Sequence, residues 1–356
     1  MTTQEVAIDE QKVEEFLGKA LTDLAGSTTI ILCAIGDKLG LFKDLAANGP
    51  ATSAELASRT GINERYAREW LGGLASAGYL THSDGTFTLP AEHALVLAEE
   101  SSPMFFGGAY EMVAGMPDVF QPLTEAFVKG GGVPQSAYPS TTWSGMERFT
   151  GSWFDSLMVQ EFIPAVPPVE EALKRGVSFA DVGCGSGRAL IRLAEAYPNC
   201  TFTGFDIFPG QLDRAKAAVK AAGLEDKISL ELTDASKPLP GTFDVISTFD
   251  VIHDAADPVG VMKTVRAALN PDGFYLCLDI NCSDSLDENA GPLGALLYGF
   301  SVLYCMTTSL AQNGEGMGTL GLHEPKMREL AAEAGFSSVE KAPVENPFNI
   351  LWVLRP

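Results

Sequence analysis

The sequence predicts an α/β chain: a doubly wound, mostly parallel, seven-stranded sheet preceded by an α-helical domain with the outline of a winged helix. Three observations carry this. From about Pro168 onward, short apolar runs alternate with helical stretches. The loop DVGCGSG (181–187) stands between one such run and the helix after it. Residues 52–90 read as helix, turn, helix and hairpin. The chain divides accordingly into 1–98 (helical dimerisation and winged-helix domain), 99–169 (a mostly helical linker and substrate-pocket segment) and 170–356 (the sheet domain).

At the N-terminus no basic, apolar leader opens the chain. Residues 9–25 pattern as an amphipathic helix, and a second helix is expected over Thr28 to Leu39. TSAELASRT opens with Thr52 and places Glu55 at capping-box spacing. Gly61 stops that helix. The next one sets Ile62, Tyr66, Trp70 and Leu74 on one side, and Gly78 ends it. THSDGTFTLP then reads as a hairpin turning at Asp84-Gly85. Winged helices often read DNA, but residues 51–100 hold three arginines against seven acidic residues, and the whole chain has a net charge of −22. That balance repels polyanions, so neither nucleic acid nor an anionic membrane is expected as a partner.

Residues 101–169 carry few charges and many aromatics and glycines. Two or three short helices are expected there, lining a small-molecule pocket or packing between domains. In the sheet domain the strands are VSFADV, CTFTGFDI, ISLEL, FDVISTFD, GFYLCLDI, SSVEKAPV and FNILWVLRP, the last two forming an antiparallel edge hairpin. Between them lies an uncharged stretch whose apolar part, Pro292 to Met306, makes a helix of roughly 22 Å, short of a bilayer core. It is apolar nearly all round, with Leu293, Leu297, Phe300 and Tyr304 on one stripe. That predicts burial, as core, as dimer interface or as the wall of a hydrophobic pocket.

Six cysteines without a CxxC pair suit reduced thiols in a cytoplasmic protein, and the four histidines show no metal-ligand spacing. No metal is expected.

The glycine loop has the pattern GxGxG (Gly183, Gly185, Gly187), with Arg188 where a dinucleotide fingerprint needs a small residue. Asp181 precedes it. Asp206 ends the second strand, where a carboxylate accepts hydrogen bonds from ribose hydroxyls. Asp234 follows the third strand, placed to accept from an adenine amino group or to cap a helix. Three carboxylates around one cleft suit a ligand carrying positive charge.

ADVGCGSG, FTGFDI, LTDAS, FDVISTFDVIHD and LNPDG occur in the order and approximate spacing of the class I S-adenosylmethionine-dependent methyltransferases. The chain as a whole resembles the winged-helix small-molecule O-methyltransferases, nearest to an actinobacterial-type branch. The resemblance implies a Rossmann-like methyltransferase sheet and S-adenosylmethionine as cofactor. It also implies a cofactor site in which Gly183, Gly185 and Gly187 pass along the methionine part, and Asp206, with Ile207 beside it, holds the ribose. Asp234 and Ala235 would border the adenine, and Phe249 and Asp250 the sulfonium and amino acid portion.

Methyl transfer to a hydroxyl benefits from a base whose pKa lies near the working pH, which histidine meets with little tuning. His253-Asp254, just past the fourth strand, matches the His-Asp pair that supplies the base in plant O-methyltransferases, although Ala255 replaces the tryptophan usual after it. His253 is thus a base, or else a structural or substrate-contact residue; Glu324 and Asp287 are the candidates for an acid orienting it. His323 begins a helix as a cap neighbour, and His82 and His93 are structural. The expected function is methyl transfer to a small, hydrophobic or aromatic acceptor, with O-methylation favoured and a homodimer as the assembly. The alternatives are a regulator that binds S-adenosylmethionine and uses its winged helix on DNA, and a non-catalytic binding protein.

Overall fold

The computed structural model describes residues 8–356; the reading of the first seven as lacking a leader lies outside them. Contacts divide the chain into two compact units, residues 1–115 with 140–149, and residues 116–139 with 150–356. The 99–169 segment is therefore shared between the two.

The first unit opens with α1 (Glu10–Lys38), capped by the Asp9 side chain on the Gln11 and Lys12 amides. It is one helix where two were expected. Gly26 lies inside it, and a mid-helix glycine costs only about 1 kcal/mol against alanine, too little to end 29 residues of otherwise helical sequence. Helices α2 (Leu41–Asn48), α3 (Ser53–Thr60) and α4 (Glu64–Ser76) follow. The capping box at Thr52 and Glu55 forms as read. The face of α4 forms except at one position: Trp70 and Leu74 turn inward with Ala67 and Leu71, and Ile62 packs against the same core, but Tyr66 is 78% exposed. Trp70 fixes that rotation by donating from Nε1 to the Leu32 carbonyl of α1 at 2.8 Å. At Gly36 the two helices approach so closely that a Cβ would stand 2.4 Å from the Trp70 ring.

The hairpin of β1 (Thr81–Ser83) and β2 (Thr86–Thr88) turns at Asp84-Gly85, both at positive φ, the geometry of a type I′ turn. Phe87 exchanges both backbone hydrogen bonds with Ala51, which ties this wing to the helices. His82 packs against Phe87 in the wing, the two rings tilted at 39° with centres 4.6 Å apart. Helices α5 (Ala91–Leu97) and α6 (Gly107–Gly115) complete this part. Arg148, on the first part of α8 (Ser140–Leu157), bridges Asp37 at 2.6 Å, Glu111 at 2.8 Å and Glu100 at 2.8 Å.

The second unit contains α7 (Phe120–Lys129), the end of α8, and α9 (Pro167–Arg175). The α/β alternation then runs β3 (Ser178–Val182), α10 (Arg188–Ala196), β4 (Thr201–Asp206), α11 (Pro209–Ala222), β5 (Ile228–Leu232), β6 (Phe243–Phe249), α12 (Pro258–Ala268) and β7 (Leu269–Ile280). After it come α13 (Pro292–Phe300), α14 (Met306–Ala311), α15 (Glu324–Ala334), β8 (Ser338–Lys341) and β9 (Asn349–Arg355). The seven strands form one sheet in the order β5-β4-β3-β6-β7-β9-β8, parallel except for β9, which runs against both neighbours. The terminal hairpin is thus present, but its second strand lies inside the sheet. Trp352 of β9 is fully buried, and so is Tyr275 of β7. A strand as apolar as NILWVLR is better used between neighbours than at an edge.

The 292–306 stretch continues through a π-helical turn at Ser301–Cys305 into α14, giving a helical run of 20 residues. It is not buried all round: Leu297, Tyr304 and Thr307–Ser309 face inward, whereas Tyr298 is exposed. By length and composition alone, this run and α1 could each cross a bilayer. Its inward side is anchored within the unit, the Val133 amide donating to Thr307 Oγ1 at 2.9 Å and the Tyr138 hydroxyl to the Leu303 carbonyl.

One prediction follows from the Arg148 bridge. Asp37, whose side chain is 3% exposed, has Arg148 as its counter-charge. Arg148→Leu should lower stability by about 3 kcal/mol, because a buried charge left without its partner is costly. A urea or thermal unfolding midpoint unchanged from wild type would contradict this.

Candidate active site

The residues singled out in the sheet domain gather at the carboxyl ends of the parallel strands. The glycine loop follows β3 and starts α10, with Gly183, Gly185 and Gly187 all at positive φ. Gly183 and Cys184 donate their amides to the Phe205 carbonyl, and Gly185 donates to Asp206 Oδ2 at 2.9 Å, so the loop is folded onto the end of β4. A Cβ at Gly185 would meet nothing within 4 Å. The left-handed backbone there thus serves the loop's shape and leaves its outer side open to a ligand.

Asp206 is buried and accepts from Gly185 through one oxygen and from the Phe208 amide through the other, at 2.9 Å. The Ile207 amide hydrogen-bonds to it as well, and of the roughly four lone-pair sites of a carboxylate this leaves capacity for a ribose hydroxyl. Burial, outweighing these hydrogen bonds, raises its pKa. Ile207 beside it is 46% exposed. Asp181 lies beneath the loop, 2% exposed, accepting from Ser247 Oγ at 2.7 Å. Its pKa is pushed up to about 7, by burial above all. Asp234 follows β5 as an Asx turn, accepting from the Ser236 amide and hydroxyl, and Lys237 pairs with it at 3.2 Å. Asp234 thus caps a turn rather than a helix, at the strand end next to Asp206, whose carbonyl accepts from the Thr233 amide. Ala235 packs on the core beneath.

At the end of β6, Phe249 tilts against Phe154 of α8 with ring centres 5.5 Å apart. Asp250 takes φ +55, uncommon for a residue other than glycine and a mark of local strain. Its carboxylate is held by Asn349 Nδ2 at 2.6 Å, and its pKa is pushed up to about 7 by burial and then by the charge of Asp279. Because β9 is antiparallel, its first residue, Asn349, pairs with Ile280 and so lies at the carboxyl ends of β6 and β7.

His253 sits in a short 3-10 turn (Ile252–Asp254) and is 3% exposed. Its Nδ1 lies 2.7 Å from Oδ1 of Asp279, and its Nε2 lies 3.2 Å from Oδ1 of Asp254. Burial opposes a charge on the ring, but Asp279 and then Asp254 outweigh it, and the pKa is raised well above the usual imidazole value. The Cys305 thiol also hydrogen-bonds to His253, and burial pushes that thiol up to about 11. Donor atoms of His253, Asp254 and Cys305 all lie within 4.8 Å of one another, a set a soft divalent cation would accept. Since both ring nitrogens already face carboxylates, an ion-paired network accounts for the group without one.

The acid that orients His253 is Asp279, fully buried near the end of β7. Neither residue suggested by the sequence serves: Glu324 pairs with Arg328 at 2.7 Å, and Asp287 is exposed. The remaining signal was the LCLDI ending of the β7 run, an acid at the carboxyl end of a strand next to the His253 strand. His323 is itself the N-cap of α15, Nδ1 accepting from the Lys326 amide at 3.3 Å. Aromatic side chains stand near His253: Tyr138 and Tyr304 pack edge to face at 5.1 Å, and the charge of Asp254 acts on both phenols. Gln135 Nε2 donates to the Tyr304 hydroxyl at 3.1 Å.

Comparison with known proteins places this geometry. Residues 180–275 match the family model of a methyltransferase domain, and residues 27–99 that of an Rv2258c-like winged HTH domain. The chain is 29% identical over 303 residues to 3-hydroxy-5-methyl-1-naphthoate 3-O-methyltransferase of Streptomyces sahachiroi, covering 80% of this chain and 82% of that protein. It is 29% identical over 175 residues to O-demethylpuromycin-O-methyltransferase of Streptomyces alboniger, covering 48% and 43%. The solved structure of PigF with SAH superposes with a TM-score of 0.70 at 18% identity, covering 95% of this chain and 99% of that one, a likeness of fold.

Proposed function

Because the chain is an S-adenosylmethionine-dependent methyltransferase with a winged helix-turn-helix domain, we propose that it methylates an oxygen of a small, hydrophobic or aromatic acceptor, with His253 as the general base. The observation that carries the reading is the buried His253–Asp279 pair at the carboxyl ends of β6 and β7. The naming of the Streptomyces relatives as O-methyltransferases supports oxygen as the acceptor atom. The Tyr138–Tyr304 pair beside Asp254 supports an aromatic partner.

When bound, S-adenosylmethionine supplies a methyl carbon attached to a positively charged sulfur. Asp206 and Asp234 would hold its nucleoside portion, and Gly183, Gly185, Gly187, Phe249 and Asp250 its methionine portion. Asp279 fixes the proton on His253 Nδ1, which leaves Nε2 of the neutral ring as the base. Nε2 would take the proton of the acceptor hydroxyl, and the imidazolium so formed would be stabilised by Asp254 and Asp279. A raised pKa makes the ring a stronger base but leaves less of it neutral near pH 7. It is thus best matched to a weakly acidic hydroxyl such as a phenol.

The assembly belongs to the same reading. Val13, Leu17, Leu21, Leu24, Ile31 and Ile35 of α1 are all exposed at helical spacing along one side, a stripe suited to a second copy. The winged helix is read as acting on protein rather than DNA, since Arg65 and Arg68 on α4 are paired with Glu69 and Glu64. The free state of all six cysteines supports a reducing, cytoplasmic setting, and no membrane partner is proposed.

Three predictions test this. Incubated with methyl-deuterated S-adenosylmethionine and small-molecule extracts of its own host, the wild-type protein should label a product by mass spectrometry. His253→Ala should lose 100-fold or more of that rate, on the order expected for a general base, while still binding S-adenosylhomocysteine. Because the His253 pKa is raised, the neutral ring appears only at higher pH, and kcat/KM should rise with pH to a midpoint above that of free imidazole. Asp279→Asn should move the midpoint down and lower the plateau. A product formed undiminished by His253→Ala would remove the base. Light scattering should give the mass of two chains, and Leu17→Glu with Leu24→Glu the mass of one; a wild-type mass of one chain would remove the dimer.

A further inference from the structure

A concavity lies wholly inside the first unit. It is a cleft of about 230 Å³ between the turn after α4 (residues 77–79), His93, Val96 and Leu97 of α5, and Tyr110 of α6. No Lys, Arg, Asp or Glu lines it. Its wall is apolar except at two places. The Tyr110 phenol hydrogen-bonds to Tyr79 and, with its pKa raised by burial above all, stays neutral. His93 Nδ1 lies 2.8 Å from the Tyr79 backbone carbonyl. A carbonyl only accepts, so Nδ1 carries the proton, and Nε2 is left as the nitrogen that can accept. The structural role expected of His93 thus fixes its tautomer and leaves an acceptor on a ring that borders the cleft.

Size and chemistry together define an occupant. A cavity of about 150 Å³ holds benzene, so about 230 Å³ has room for two fused rings. Tyr79 and Tyr110 offer aromatic edges and faces to such rings. A charged ligand would find no counter-ion, and a purely apolar one would leave the histidine acceptor unmet and desolvated. We propose that this cleft binds a neutral two-ring aromatic molecule bearing one N–H or O–H group, which donates to His93 Nε2. The ligand joins the end of α4 to α5 and α6, so its binding stabilises the winged-helix unit.

The probe is indole, with 1-methylindole as the same rings lacking the donor. Each is titrated calorimetrically into the full-length protein saturated with S-adenosylhomocysteine. Indole should bind, about fivefold tighter than 1-methylindole, the worth of one net hydrogen bond. His93→Phe should bring the two to parity. Val96→Trp, which fills the cleft, should abolish indole binding while the circular dichroism spectrum and S-adenosylhomocysteine binding stay as in wild type. No indole binding, parity of the two probes in the wild type, or indole binding retained in a folded Val96→Trp protein would each overturn the proposal. Should Val96→Trp fail to fold, the comparison of wild type with His93→Phe decides alone.

Discussion

The structure around the candidate site depends on one buried arrangement: an imidazole between two carboxylates. Removing three ionisable groups from water is costly, and the cost is offset only if geometry is tight and the charges nearly cancel. The sheet supplies that geometry. β6 and β7 are parallel neighbours, so the turn after one brings His253 to the last residues of the other, where Asp279 stands. The reversed strand β9 then brings Asn349 to the same edge, where it holds Asp250 in its left-handed conformation. An all-parallel sheet would place the end of that strand there, not its beginning.

The same edge carries more negative charge than it neutralises. Asp181 and Asp250 are buried with pKa values pushed up to about 7, and Asp206 is also raised. Such carboxylates are destabilised as anions and gain from a positive charge placed nearby. A cofactor that brings a sulfonium and an ammonium group suits that deficit, whereas a dinucleotide pyrophosphate would add to it. This gives a physical reason for GxGxG to serve a different ligand than the phosphate-binding GxGxxG loop, one that complements the match to a methyltransferase domain.

Much of this was legible in the sequence, and the failures have physical causes. Apolar runs spaced by helices located the strands, because a strand buried on both faces has few residue types to choose from. The glycine loop and Asp206 were legible because the strand–loop–helix context is local. Asp279 was not, since it lies 26 residues beyond His253 and is brought there only by strand order. The face of α4 was misjudged by one residue: Tyr66 and Ala67 satisfy the same helical period, and only the Trp70 bond to Leu32 selects between them. The π-helical turn that presents Cys305 to His253 has no sequence signature; such turns are frequent at functional sites.

On this reading Asp279 sets both the tautomer and the basicity of His253. The direct measurement is a pH titration of ¹⁵N-histidine-labelled protein by NMR, with His253 assigned by its absence from His253→Ala. The His253 resonance should titrate well above the usual imidazole value, with the neutral ring protonated at Nδ1, and its midpoint should fall in Asp279→Asn. A ring that titrates at or below the value of free imidazole, or one whose midpoint is unmoved by Asp279→Asn, would contradict it.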